Sequence, residues 1–197
     1  PKTGGLLIRG SRLPIHIADI KIDRKNCKLK NFKPIKNKSI EGIIESWQIS
    51  DKFQETELDT IVNIKNIISK RTWKHTINVE EGVAANISRK IIRYDNRPKL
   101  NTVFAKLRIT SDKKQTKFFD FGYSDRVLLL LNKKPIYRGT NKWSSRDYRY
   151  LGTIGLFDGV YLNLEKGENE LLLAVSEDFG GWLVTGKFKD NIGIEIK

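Results

Sequence analysis

The chain has 197 residues, a formal net charge of +14, 39% hydrophobic and 10% aromatic residues, one cysteine and no methionine. This is enough apolar and aromatic material for a folded core, so disorder is not the expectation, and no apolar run approaches the roughly 18 residues that a spanning helix needs. A single cysteine, Cys27, excludes an internal disulfide, and a chain that starts at Pro1 without methionine is expected to be a fragment or a processed product.

Gly5 to Arg9 and Ile15 to Asp23 read as two strands, the second alternating through Ile15, Ile17, Ile20 and Ile22 with a slip at Ala18-Asp19 that suggests a bulge. Residues 1 to 40 hold eleven basic side chains against Asp19 and Asp23, so +9 of the +14 sits there. A basic arm attracts phosphates, acidic glycans or a membrane surface, and the plainer expectation is a solvated lysine-rich linker. Nucleic acid is not the expected partner, because Lys outnumbers Arg and Phe32 is the only aromatic platform in the segment. Residues 26 to 39 mix lysine, polar residues and Pro34, which places a linker over 25–42 and divides the chain into a strand pair at 1–24 and a main domain at 43–197.

In the main domain, EGIIESWQI at 41–49 reads as a strand carrying Trp47, residues 50 to 61 as a stretch with a short helical turn, and Ile64, Ile67 and Ile68 as one helical face. Trp73 to Val79 and Val83 to Ser88 form a strand pair around a Glu80-Glu81-Gly82 turn, and Asn96-Arg97-Pro98 is a loop. Thr102 to Thr110 alternates, with Val103, Ala105, Leu107 and Ile109 inward, and a turn over 111–115 leads into Thr116 to Phe121. Val127 to Leu131 is continuously apolar, as expected of a strand buried on both faces, whereas Gly159 to Leu164 alternates and turns at 166–169 into Glu170 to Ser176. Strands every 8 to 12 residues with turns between them imply an all-β chain, an antiparallel β-sandwich.

The residues LLLLN-KKPIYRG, VYLNLEKGENELLLAVSED and GGW, within 121–184, resemble the sugar-binding jelly-roll domain that precedes the barrel of family-2 glycosidases, and galactose-binding-domain-like sandwiches generally. Lys133 stands where that family usually has glycine, so a different turn type is expected there. GGLLIRGSRLPIHIADIKI, at residues 4 to 22, resembles the closing strands of a concanavalin-like module, which makes residues 1–24 the tail of a preceding β module. The resemblance implies a carbohydrate-binding or accessory module of a larger polysaccharide-processing protein, secreted or on the cell surface, beside a glycoside hydrolase catalytic domain; the alternative is a structural or protein-interaction domain supporting that enzyme. A structural calcium is common in such sandwiches, with Asp125, Asp147 and Asp158 as loop candidates, although no calcium-loop motif accompanies them and no cofactor is expected.

The chemistry expected of the chain is recognition rather than catalysis. His16 and His75 are far apart in sequence, there is no nucleophile elbow or phosphate loop, adjacent acids such as Glu177-Asp178 point to opposite faces of a strand, and Glu80-Glu81 reads as a hairpin turn. The loop at 140–150 brings Trp143, Arg146, Asp147 and Tyr148 between strands, where a flat aromatic face suits the C–H face of a sugar ring and Arg and Asp suit vicinal hydroxyls. The competing expectation is that Trp143 and Tyr150 fold inward while Arg146 and Asp147 pair locally. Trp182, after Gly180-Gly181, is a further candidate contact, with core packing as its alternative.

Overall fold

The computed structural model describes residues 40–60, 64–80, 82–92, 100–147, 153–178 and 181–197. The strand pair expected at 1–24, most of the linker expected at 25–42 and the loop at 96–98 lie outside the described residues. Eleven antiparallel strands are found among the described residues: β1 (Ser46–Ile49), β2 (His75–Glu80), β3 (Ala84–Asn86), β4 (Thr102–Ser111), β5 (Gln115–Tyr123), β6 (Arg126–Leu131), β7 (Lys134–Thr140), β8 (Asp158–Leu164), β9 (Gly167–Ser176), β10 (Leu183–Phe188) and β11 (Ile194–Ile196). The ladder runs β7-β6-β9-β4-β1-β2-β3-β10-β5-β8, with β11 beside β4.

β2 is the corner of the sandwich. Its first four residues pair with β1 (Trp47 opposite Ile77) and its last two pair with β3 (Val79 opposite Ala85), so one strand serves two sheets. The first sheet contains β7, β6, β9, β4, β1 and β11; the second contains β3, β10, β5 and β8. Between them lies one apolar layer. Val103, Ala105, Leu107 and Ile109 of β4, Val127, Leu129 and Leu131 of β6 and Leu171, Leu173 and Val175 of β9 meet Phe119, Phe121 and Tyr123 of β5, Leu162 and Leu164 of β8, and Val184 and Phe188 of β10. The period-2 alternation of β4, β5 and β8 is what turns these sets inward together.

The first sheet is also buried on its far side. A 3-10 turn at Glu55–Asp59 and the short helix α1 (Ile64–Ser69) lay Leu58, Ile64, Ile67 and Ile68, with Phe53, on Phe104, Leu128, Leu130, Leu172 and Ala174. This second apolar layer explains why β6 and β9 read as unbroken apolar runs, and it confirms the helical face seen at Ile64, Ile67 and Ile68. An isolated six-residue helix is unstable in water, so packing rather than propensity holds α1 in place.

The β6–β7 turn departs from expectation. Asn132 and Lys133 both have positive φ, 50° and 65°, and join the paired residues Leu131 and Lys134, so the two-residue hairpin geometry is kept without glycine. Asn132 also accepts the Glu170 N–H on its side-chain oxygen at 2.9 Å, and its amide donates to Asn169 at 2.9 Å. These bonds tie the turn to β9 and hold a conformation that lysine adopts reluctantly.

Candidate functional site

At one end of the first sheet, the 3-10 turn and the loops after β5, β7 and β9 meet. Arg126, the first residue of β6, points to the covered side of the sheet and forks between two carboxylates: its Nε donates to Glu55 Oε1 at 2.6 Å and its other terminal nitrogen to Asp178 Oδ2 at 2.6 Å. Lys142 reaches the same Asp178 oxygen at 2.9 Å, and Asn101 donates to Asp178 Oδ1 at 3.3 Å while accepting the Glu55 N–H at 3.3 Å. Burial alone would raise the Glu55 carboxyl, but the Arg126 hydrogen bonds and charge outweigh it and hold Glu55 below the usual carboxylate range. A glycosidase general acid needs the opposite shift, so Glu55 is suited to binding rather than to proton donation. Arg126 is in turn held charged against its own burial.

Two clefts flank this ion-pair group. One, of about 280 Å³, lies between Leu58 and Glu55 and the exposed ends of β6 and β7, with Arg138, Gly139 and Thr140 on its far wall. The other, of about 350 Å³, is lined by Gln54, Thr56, Asn101, Lys142 and Asp178. They share Glu55 and Arg126.

The 140–147 segment rises beside them. Its base is fixed by Asn141, which is buried; its amide donates to the Tyr123 and Thr153 carbonyls at 3.2 and 2.9 Å, and its N–H donates to the Asp125 carbonyl. Trp143 is 64% exposed and Asp147 lies at the surface. Tyr148 lies outside the described residues. Arg146 turns inward: it donates to the Asp158 carboxylate, to Tyr123 Oη at 3.0 Å and to the Thr140 carbonyl at 3.2 Å. Burial opposes its charge, but Asp158 more than compensates. Tyr123, buried beneath it, has its hydroxyl pushed up by burial and by its neighbours Tyr137 and Asp158. These bonds make Arg146 a brace for the loop.

Trp182 must be corrected. It is 0% exposed, lies in the layer between the sheets and donates its indole N–H to the Val175 carbonyl at 3.1 Å, so no face of it is open to a ligand. The three aspartates considered for calcium are engaged apart from one another: Asp158 holds Arg146, Asp125 is buried and accepts the Asp178 N–H at 2.9 Å, and Asp147 is at the surface. Among the described residues, no three His, Cys, Asp or Glu side chains are grouped to hold a metal ion.

Sequence reasoning missed Glu55, Arg126, Asn101 and Lys142. Arg126 lies 71 residues from Glu55 and 52 from Asp178, and no local pattern announces such a meeting. One signal was present: Glu177 and Asp178, adjacent, do face opposite ways, Glu177 inward to accept Ser124 Oγ at 3.0 Å and Asp178 outward to Arg126.

No protein-family model matches the chain, and no curated protein sequence does. Solved structures to which the chain is similar include a family 35 carbohydrate-binding module from an environmental isolate, at 14% identity and a TM-score of 0.35, covering 48% of this chain and 70% of that one. They also include the β-glucosidase from Kluyveromyces marxianus, in complex with glucose, at 12% identity and a TM-score of 0.39. That match covers 78% of this chain but 18% of the enzyme. The fold is all-β and antiparallel. Its two sheets pack face to face on one apolar layer, as in a β-sandwich.

Proposed function

We propose that this domain is a non-catalytic carbohydrate-binding or accessory module of a larger polysaccharide-processing protein, and that its glycan site is the end of the sandwich where the loop of Trp143 joins the Glu55–Arg126–Asp178 group through Lys142. The observation that carries this reading is Trp143: a large aromatic side chain left 64% exposed on a loop whose base is pinned by Asn141 and Arg146. An aromatic ring held in water by a braced loop is preorganised for stacking on a sugar face, and the nearby carboxylates, guanidinium and amides match vicinal hydroxyls. In this reading Asp147 is a further contact at the surface beside Trp143, and the protein is secreted or on the cell surface, where polysaccharide is met.

The test is titration of the chain with neutral oligosaccharides, comparing wild type with Trp143→Ala and with Lys142→Ala. Loss of one aromatic platform is expected to weaken binding by roughly tenfold or more, at 1.4 kcal/mol per decade. Equal binding by wild type and Trp143→Ala would remove the loop from the account.

A second reading, a domain that docks on a catalytic neighbour, is favoured by the outer face of the second sheet. There Tyr161 is 72% exposed and packs edge-on against Phe118, with ring centroids 4.9 Å apart. An aromatic pair partly open to solvent near the edge of the sheet suits a protein partner as well as a glycan.

A further inference from the structure

The outer side of the first sheet is apolar only where α1 and the 3-10 turn cover it. Beyond Trp73 it becomes polar, along a row that the register fixes: Thr76 of β2 lies opposite Gln48 of β1, and Gln48 opposite Lys106 of β4. A cleft of about 340 Å³ opens there, lined by Ser46, Gln48, Thr76, Lys106, Arg108 and Lys197. Lys106 is the unusual member. It is 6% exposed, its ammonium lies 3.7 Å from the centroid of the Trp73 ring, and it makes no hydrogen bond or ion pair among the described residues. Arg108, two residues along the same face, is exposed and likewise has no ion pair there. Glu170, opposite Arg108 in the β4–β9 ladder, pairs with neither cation, and its Oε1 is buried without a hydrogen bond. Lys197 is partly neutralised by Glu195 at 3.7 Å, so the argument rests on Lys106 and Arg108.

Lys106 lines the cleft, and no carboxylate or carbonyl among the described residues accepts from its ammonium, so an anion entering the cleft meets a charge that the protein leaves unneutralised. The ammonium's position is set by the cation–π contact with Trp73, whose backbone carbonyl also accepts from Gln48 at 3.5 Å. Burial lowers the Lys106 pKa, with Arg108 acting in the same direction and Glu170 against it. A bound anion would reverse that shift.

We propose that this cleft binds a tetrahedral oxyanion, a sulfate or phosphate group. The donors arrive from three strands, with hydroxyls of Ser46 and Thr76 and the Gln48 amide around the two cations, rather than from one planar fork. That arrangement suits three terminal oxygens better than a flat carboxylate. The site is separate from the Trp143 loop and does not depend on the carbohydrate reading; that reading bears only on whether the oxyanion is an ester on a sugar.

The experiment is titration of the 197-residue chain at constant ionic strength with sodium sulfate, sodium phosphate, a glucose sulfate monoester, a glucose phosphate monoester and glucose itself, read by amide shifts at Gln48, Lys106 and Arg108. Saturable shifts are expected with sulfate or phosphate and none with glucose. Lys106→Gln and Arg108→Gln should each weaken them roughly tenfold or more. Tighter binding of a monoester than of its inorganic ion identifies a sugar ester as the source, and equal binding identifies the free ion. Trp143→Ala should leave these titrations unchanged, which separates the two sites. Arg108 is exposed, so its variant tests the site even if Lys106→Gln fails to fold. Absence of saturable shifts with both oxyanions, or shifts that survive the Arg108 change undiminished, overturns the proposal.

Discussion

The two sheets differ on their outer sides more than on their inner ones. The first is roofed by Phe53, Leu58, Ile64, Ile67, Ile68 and Trp73, so Phe104, Leu128, Leu130, Leu172 and Ala174 are buried on its far face; the second leaves Tyr161 exposed and Phe118 half-buried on a face of Thr116, Asp120 and Asn163. The same strand chemistry therefore serves two purposes. In the roofed sheet both sides of a strand contribute to stability, and in the bare sheet only the inward residues do. Function then has room at the margins of the roof, where polar groups emerge at Arg126 and at Lys106, and on the bare face.

The largest expected effect comes from breaking the roofed layer. Leu172→Ala, on the outward side of β9, should cost about 2–5 kcal/mol in denaturant unfolding, as a fully buried leucine does, although an antiparallel strand with one solvated face would predict almost nothing. Tyr161→Ser on the bare face should stay within about 0.5 kcal/mol in the same assay. Similar costs for the two changes would erase the distinction between the sheets.

Next in size is the ion-pair group at the roof's edge. Arg126→Ala should destabilise by about 1–3 kcal/mol near neutral pH, because it leaves partly buried Glu55 and Asp178 without their shared donor. The sign of the pH dependence follows from Glu55, whose folded pKa is depressed. Its contribution is fully present above the unfolded carboxylate value of about 4.3 and is lost as pH falls through the lower folded value. Urea midpoints from pH 7 to 3 should fall more steeply for wild type than for Arg126→Ala; parallel profiles would show that Arg126 does not hold Glu55 ionised.

The smallest effect is at the β6–β7 turn. Lys133→Gly removes a side chain from a φ of 65° and should stabilise by up to about 1 kcal/mol in thermal unfolding, whereas Lys133→Val should destabilise.

Much of this architecture is legible in the sequence. The alternation in Thr102–Thr110 and Gly159–Leu164 places the inward residues correctly, because period 2 is a local property. What the alternation of β4 hides is that Phe104 and Lys106, both pointing outward, are buried as well: their cover includes Phe53 and Trp73, distant in sequence and without any local sign that they turn onto β4. The unbroken runs of β6 and β9 do signal that cover. The candidate site is less legible for the same reason. The loop of Trp143 and Arg146 is legible as a loop, but the Asp158 partner of Arg146 is not, and Trp182 looks available until it is seen inside the sandwich with its indole N–H satisfied. Glu55, Arg126 and Asp178 come from three distant segments, and only the fold brings them together.

The central claim is that the Trp143 end of the sandwich binds glycan. A glycan array of neutral and acidic polysaccharides, probed with wild type and Trp143→Ala at low and at physiological salt, tests it most directly. The account predicts binding to a neutral sugar class that barely changes with salt and is lost in the variant. Binding confined to acidic glycans at low salt and retained by Trp143→Ala, or no binding to any glycan, would contradict it.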